Sequence, residues 1–124
     1  MKILLAEDDN NISTIAKLAL EQLGGHEVHV ATDGETALRR ITSEKFDLIL
    51  LDEMMPKMNG VVVCEEYSKW PYREAPVIFM SANVQKEKNF TGAAIGFIPK
   101  PFDPMELANQ IQNIYNESKV KKAV

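Results

Sequence analysis

Two stretches of this 124-residue sequence place acids where apolar runs end. LLAEDDNN, residues 4–11, passes from Leu4-Leu5-Ala6 into Glu7, Asp8 and Asp9 with no turn residue between them. LILLDEMM, residues 48–55, does nearly the same and delivers Asp52 and Glu53. Like charges gathered beside buried strands cost free energy unless a cation is bound among them. Two further apolar runs end in groups of complementary chemistry: PVIFM (76–80) in Ser81, and GFIP (96–99) in Lys100. Clustered carboxylates favour a hard cation, and Mg²⁺ suits a site with few protein ligands and several waters. An aspartate beside such an ion can attack phosphorus, because carboxylates form aspartyl-phosphate intermediates. A serine and a lysine would supply a hydrogen bond and a charge to the phosphoryl oxygens. Phosphoryl transfer needs mainly positioning and neutralised charge, so this short set suffices.

These residues act together only if the fold brings four strand ends to one edge. The sequence predicts strands at 2–6, 27–31, 47–51, 76–80 and 96–99. The first, third and fourth are continuously apolar, as strands covered by helices on both faces should be. Between them, Ile12, Ile15, Ala16, Ala19, Leu20 and Leu23 follow helical spacing until Gly24-Gly25 stops the helix. Thr32 with Glu35 reads as a capping box ahead of Ala37, Leu38 and Ile41. A third helix is expected over 60–70 despite Val61-Val62-Val63, which argues against it locally. A fourth, over 84–94, is weakly patterned. Asp103-Pro104-Met105-Glu106 begins a fifth, whose apolar stripe is Leu107, Ile111, Ile114 and Tyr115.

Five strands alternating with five helices imply a doubly wound parallel sheet with helices on both faces. In the order 2-1-3-4-5 the topological switch point, where ligands bind, lies between strands 1 and 3. Those are the two strands that end in acids.

Composition narrows the function. The chain has the size of one domain, 1–124, with 117–124 a polar C-terminal tail. Net charge is −4, from 14 basic and 18 acidic residues, which argues against direct DNA binding through a basic surface. The lone Cys64, within VVVC, reads as a small core residue. No apolar stretch is long enough for a membrane span, and the amino terminus lacks a signal-peptide pattern, so a cytoplasmic location is expected. His26 and His29 lack metal-ligand spacing, and Trp70 and Tyr72 are expected to pack on the third helix.

The motifs ILLAEDD, LILLDEMMPKMNG, VIFMSAN and GFIPKPFDP, in this order and spacing, closely resemble the receiver domain of two-component response regulators across essentially the whole chain. The resemblance implies a flavodoxin-like (CheY-like) three-layer α/β/α fold and a phosphoacceptor at Asp52. It implies Mg²⁺, with Mn²⁺ able to substitute, held by Asp8, Asp52, the backbone carbonyl of Met54 and, through water, Glu7. Ser81 and Lys100 match the phosphoryl-binding pair, Phe97 the aromatic switch residue, and Lys100-Pro101 a peptide bond that is cis in the family. Met54 and Asn83 match the positions that tune dephosphorylation. The partners implied are a histidine kinase or phosphotransfer protein and a downstream protein target. The domain would assist its own phosphorylation and dephosphorylation without being an enzyme, as a monomer or a phosphorylation-dependent dimer. Its signal would leave through the surface of helix 4, strand 5 and helix 5.

Glu53 departs from the family, which usually has an apolar residue after the acceptor. That leaves open a degenerate receiver acting as a phosphorylation-independent binding module. An aspartyl-phosphate phosphatase of the haloacid-dehalogenase type would need an acidic partner two residues after its nucleophile, and LLDEMM has none. A flavodoxin-type FMN carrier would need a phosphate-cradling loop after strand 1, where acids stand instead. Asp9 reads as a helix-start residue rather than a ligand.

Overall fold

The computed structural model describes residues 1–82 and 92–123. Along the chain run β1 (Lys2–Ala6), α1 (Asn10–Gly24), β2 (Glu27–Ala31), α2 (Gly34–Ser43), β3 (Leu48–Asp52), α3 (Gly60–Lys69), β4 (Val77–Ser81), β5 (Ala94–Pro99) and α4 (Leu107–Ala123). The strands form one parallel sheet in the order β2-β1-β3-β4-β5. This is the flavodoxin-like, doubly wound arrangement expected from the alternating pattern.

Strand side chains alternate between faces, so each strand feeds two cores. Ile3, Leu5, Leu48, Leu50, Ile78 and Met80 meet Ala16 and Leu20 of α1 and Leu107 and Ile111 of α4. Leu4, Ala6, Ile49, Leu51 and Val77 face the other way, onto Ala37 and Ile41 of α2 and Val63 and Tyr67 of α3. All five residues of β3 are buried, because it lies centrally with helices on both faces. Truncating Leu50 there would cost about 2–5 kcal/mol.

The helix ends follow local chemistry. Asp9 caps α1, its side chain accepting from the backbone N–H groups of Asn11 and Ile12 at 2.9 and 3.1 Å. Gly25 ends that helix in the left-handed region, φ 67°, where a side chain would be strained. The capping box expected at Thr32 is replaced one residue on: Asp33 is the N-cap of α2 and accepts from Thr36 N–H at 2.8 Å. Asn59 caps α3. Asp103 organises a turn, accepting from Met105 N–H, and the regular helix α4 begins at Leu107, later than the proline signal implied. α4 then continues to Ala123, so most of the segment read as a tail is helical.

Other boundaries shift slightly. β3 and β4 extend to include Asp52 and Ser81, and β5 begins at Ala94, so the helix expected over 84–94 does not reach its predicted end. The rest of that prediction, and Asn83, lie outside the described residues. Two members of the predicted α1 stripe, Ile15 and Leu23, are exposed rather than buried. Tyr72, expected to pack on α3, is 74% exposed and stands edge-to-face with Trp70.

Candidate functional site

β1, β3, β4 and β5 end at the same edge of the sheet, and their terminal residues converge there. Glu7 follows β1 directly, its N–H still donating to Ala31 of β2 at 2.9 Å, which holds it in strand geometry. That pairing leaves the side chain 1% exposed while Asp8, next in the chain, is exposed. Asp52 closes β3 and is 5% exposed, and Ser81 closes β4 and is 4% exposed. Lys100 follows β5, its N–H donating to the carbonyl of Ser81 at 2.8 Å. Its side chain crosses the sheet edge, with Nζ 2.5 Å from Glu7 Oε1 and 3.3 Å from Asp52 Oδ2. Lys100-Pro101 is a cis peptide.

Carboxylate oxygens of Glu7, Asp8 and Asp52 all lie within 4.8 Å of one another. Burial, reinforced by a hydrogen bond with Asp52, pushes the Glu7 carboxyl up to about 7, although Lys100 pulls the other way. Burial works against the Lys100 ammonium too, but its bonds to Glu7 and Asp52 outweigh that and hold it above the usual lysine range. One ammonium therefore serves two buried carboxylates, Glu7 and Asp52, an excess of negative charge that favours the protonated form of Glu7. A set of oxygen donors that retains a proton near neutrality fits a hard divalent cation, which would displace that proton.

The loop after Asp52 is fixed from two sides. A side chain at Gly60 would run into the carbonyl oxygen of Asp52, so α3 can start against the β3 terminus only with glycine there. Gly60 N–H donates to Glu53 at 2.9 Å, and Glu53 N–H to Met80 at 3.4 Å. Met58 N–H donates to Pro56 at 2.7 Å across Lys57, whose φ of 67° is unusual for a non-glycine residue. This turn sends the Met54 side chain outward, 78% exposed, while Met54 N–H donates to Asp52 Oδ1 at 3.3 Å.

The structure thus brings together Glu7, Asp8, Asp52 and Lys100, with Ser81 beside them through the Lys100 backbone. Phe97 lies half-buried on β5, two residues before Pro99. Asp9 is occupied in capping α1. The sequence reading missed the clamp at Gly60, although the glycine closing LDEMMPKMNG was its visible signal.

An acidic cluster at the switch point of a flavodoxin-like sheet defines the class of domain. The match to known proteins then gives its family: residues 3–112 fit the response regulator receiver domain, and the chain belongs to that family. It is a two-component signalling domain of the CheY-like kind. It is 37% identical over 124 residues to a probable transcriptional regulator, ycf27, of Cyanidium caldarium, covering 98% of this chain and 49% of that protein. With the alkaline phosphatase synthesis transcriptional regulatory protein PhoP of Bacillus subtilis it shares 33% over 122 residues, 96% of this chain and 50% of PhoP. The chain therefore spans about half the length of these curated relatives. Among solved structures, the chemotaxis response regulator CheY4 of Vibrio cholerae superposes with a TM-score of 0.82 at 29% identity, over 91% of this chain and 97% of that one. The response regulator TrrA of Thermotoga maritima, solved with Mg²⁺ and BeF, gives 0.79 at 31% identity over 91% of this chain and 97% of that one. Among the described residues, no helix is long and apolar enough to cross a membrane.

Proposed function

We propose that this domain accepts a phosphoryl group on Asp52 from the phosphohistidine of a histidine kinase or phosphotransfer protein. An Asp52 carboxylate oxygen attacks phosphorus, the P–O bond forms as the P–N bond breaks, and the imidazole leaves. The observation that carries the reading is the convergence of Glu7, Asp8, Asp52 and Lys100 within hydrogen-bonding and ligand distance at the ends of three strands.

Each residue has a chemical task there. Asp8, Asp52 and the Met54 carbonyl would hold Mg²⁺, with Glu7 contributing through water. The bound ion supplies positive charge against the phosphoryl oxygens, and Mn²⁺ can do the same. Lys100, already 3.3 Å from Asp52, neutralises a further phosphoryl oxygen. Ser81 donates its hydroxyl to another. Met54 and Asn83 hold the sequence positions that set the lifetime of the acyl phosphate.

The added charge biases a two-state equilibrium. Ser81 and Lys100 draw toward the phosphoryl group, Phe97 reorients on β5, and the surface that includes β5 and α4 changes its affinity for a protein target or a second copy. The signal leaves by protein contact rather than by direct DNA binding, in the cytoplasm.

Intact mass after incubation with Mg²⁺ and acetyl phosphate tests the reading. One phosphoryl group on the wild type, absent with a chelator and absent in Asp52→Asn, is the expected result. Uptake that persists in Asp52→Asn would overturn the assignment. A wild type that neither takes up phosphate nor binds beryllofluoride would support the phosphorylation-independent binding module instead.

A further inference from the structure

The opposite edge of the sheet carries a second feature. The segments that follow α2 and α3 enclose a cavity of about 300 Å³, lined by Phe46, Tyr67, Trp70 and Tyr72 with Glu44 and Glu74 on its rim. That volume lies at the lower end of small-molecule sites. The chain has one tryptophan and three tyrosines, and three of these four residues lie between positions 67 and 72 around this cavity. Trp70 and Tyr72 stand nearly perpendicular, centroids 5.7 Å apart at 74°, and Tyr72 is left largely in solvent. In this contact the edge of one ring meets the face of the other, and aromatic faces of this kind attract alkylated ammonium groups.

The helix ends and Glu74 favour a cation there. α2 ends at Ser43 and α3 at Lys69, so both helices turn their negative dipole ends toward it. Glu44 is engaged by Arg40 at 2.8 Å, whereas Glu74 has no ion-pair partner among the described residues. The Phe46 ring in the same wall is already taken by Lys2 Nζ at 4.9 Å and the Arg40 guanidinium at 5.8 Å, which leaves Trp70 and Tyr72 as the faces open to a ligand. Lys45 also lines the cavity and opposes a cation, but it is exposed and free to turn to solvent. Tyr67 closes the floor, its hydroxyl donating to the Ala75 carbonyl at 2.8 Å.

We propose that this cavity is a binding site for a small organic cation, an ammonium group carried on an apolar body. The cation lies in the corner of Trp70 and Tyr72 with Glu74 as its counter-charge. The site is independent of the acidic edge, from which α3, ten residues long, separates it by about 15 Å.

Trp70, the sole tryptophan, reports directly on occupancy. Its fluorescence is followed during titration with benzyltrimethylammonium, benzyl alcohol and phenylacetate, which share a ring and differ in charge. The expected result is saturable binding at least tenfold tighter for the cation than for the alcohol, with no response to the anion. Tyr72→Ala and Glu74→Gln, both at exposed positions that leave the core intact, should each weaken it at least threefold. Equal affinity for the alcohol, an unaffected Glu74→Gln, or no saturable response would overturn the proposal.

Discussion

Glu7 gives the most direct test of the site's electrostatics. Its carboxyl titrates near 7 in the fold against an ordinary value of 4.5, because burial and the bond to Asp52 favour the protonated form. Below 4.5 both folded and unfolded chains hold the proton, and nothing is gained or lost. Between 4.5 and 7 the folded chain holds a proton that the unfolded chain has released, so stability falls as pH rises. The slope is about 1.4 kcal/mol per pH unit, which over this window amounts to about 3 kcal/mol. Glu7→Gln keeps the size and the capacity to accept from Lys100 but cannot ionise.

The assay is urea unfolding of both proteins with EDTA at intervals from pH 5 to 8, read as the difference between them so that other titrating groups cancel. The wild type should lose stability relative to the variant across this window and be less stable by about 2–3 kcal/mol at pH 8. Mg²⁺ should then restore the wild type more at pH 8 than at pH 5.5, since at the lower pH it must first displace the proton. Parallel profiles for the two proteins would refute the reasoning, and so would a wild type that gains relative to the variant as pH rises.

Three further outcomes follow from single contacts. Asp9→Ala removes both side-chain bonds to the first turn of α1 and should cost about 1 kcal/mol in urea unfolding, with phosphoryl uptake intact. Gly60→Ala drives a methyl group into the Asp52 carbonyl and should cost about 1–3 kcal/mol while slowing uptake at Asp52; loss of stability with unchanged uptake would show that the clamp does not position the acceptor. Met54→Asn replaces an exposed apolar side chain with one able to hold water, so the phosphorylated mass should decay faster; an unchanged lifetime would contradict the role given to Met54.

Strand order and the location of the site were legible because both rest on strong, local patterns. LILLD has five apolar-to-acid positions that only a strand buried on both faces accommodates, and Asp52 at its end is a consequence of that register. Helix limits were less legible where propensity and packing disagree. Val61-Val62-Val63 disfavours α3, yet the Asn59 cap and burial of Val63 and Tyr67 against the sheet decide in its favour. At α2, Thr32 and Asp33 are both capping residues, and only backbone geometry selects Asp33. Tyr72 was misjudged because nothing in SKWPYREAP states that the chain leaves α3 at Trp70 and carries the next aromatic past the core into solvent.

The Gly60 clamp also bears on how a charge on Asp52 could be felt elsewhere. On the α3 side the acceptor's backbone meets a helix start with no room to yield, and the Glu53 carbonyl is held by Gly60 itself. On the other side the link is softer: Lys100 reaches Asp52 through a long side chain, 17% exposed, shared with Glu7. A phosphoryl group on Asp52 would therefore do least work by drawing Lys100 away from Glu7. Because Lys100 N–H is bonded to the Ser81 carbonyl, that movement loads the ends of β4 and β5 together. Packing is bistable rather than evenly compliant, so the response concentrates where the structure can change partners. If Asp52 is phosphorylated as proposed, the outgoing signal would leave on the β4–β5 side of the sheet, with α3 as the fixed wall against which it is generated.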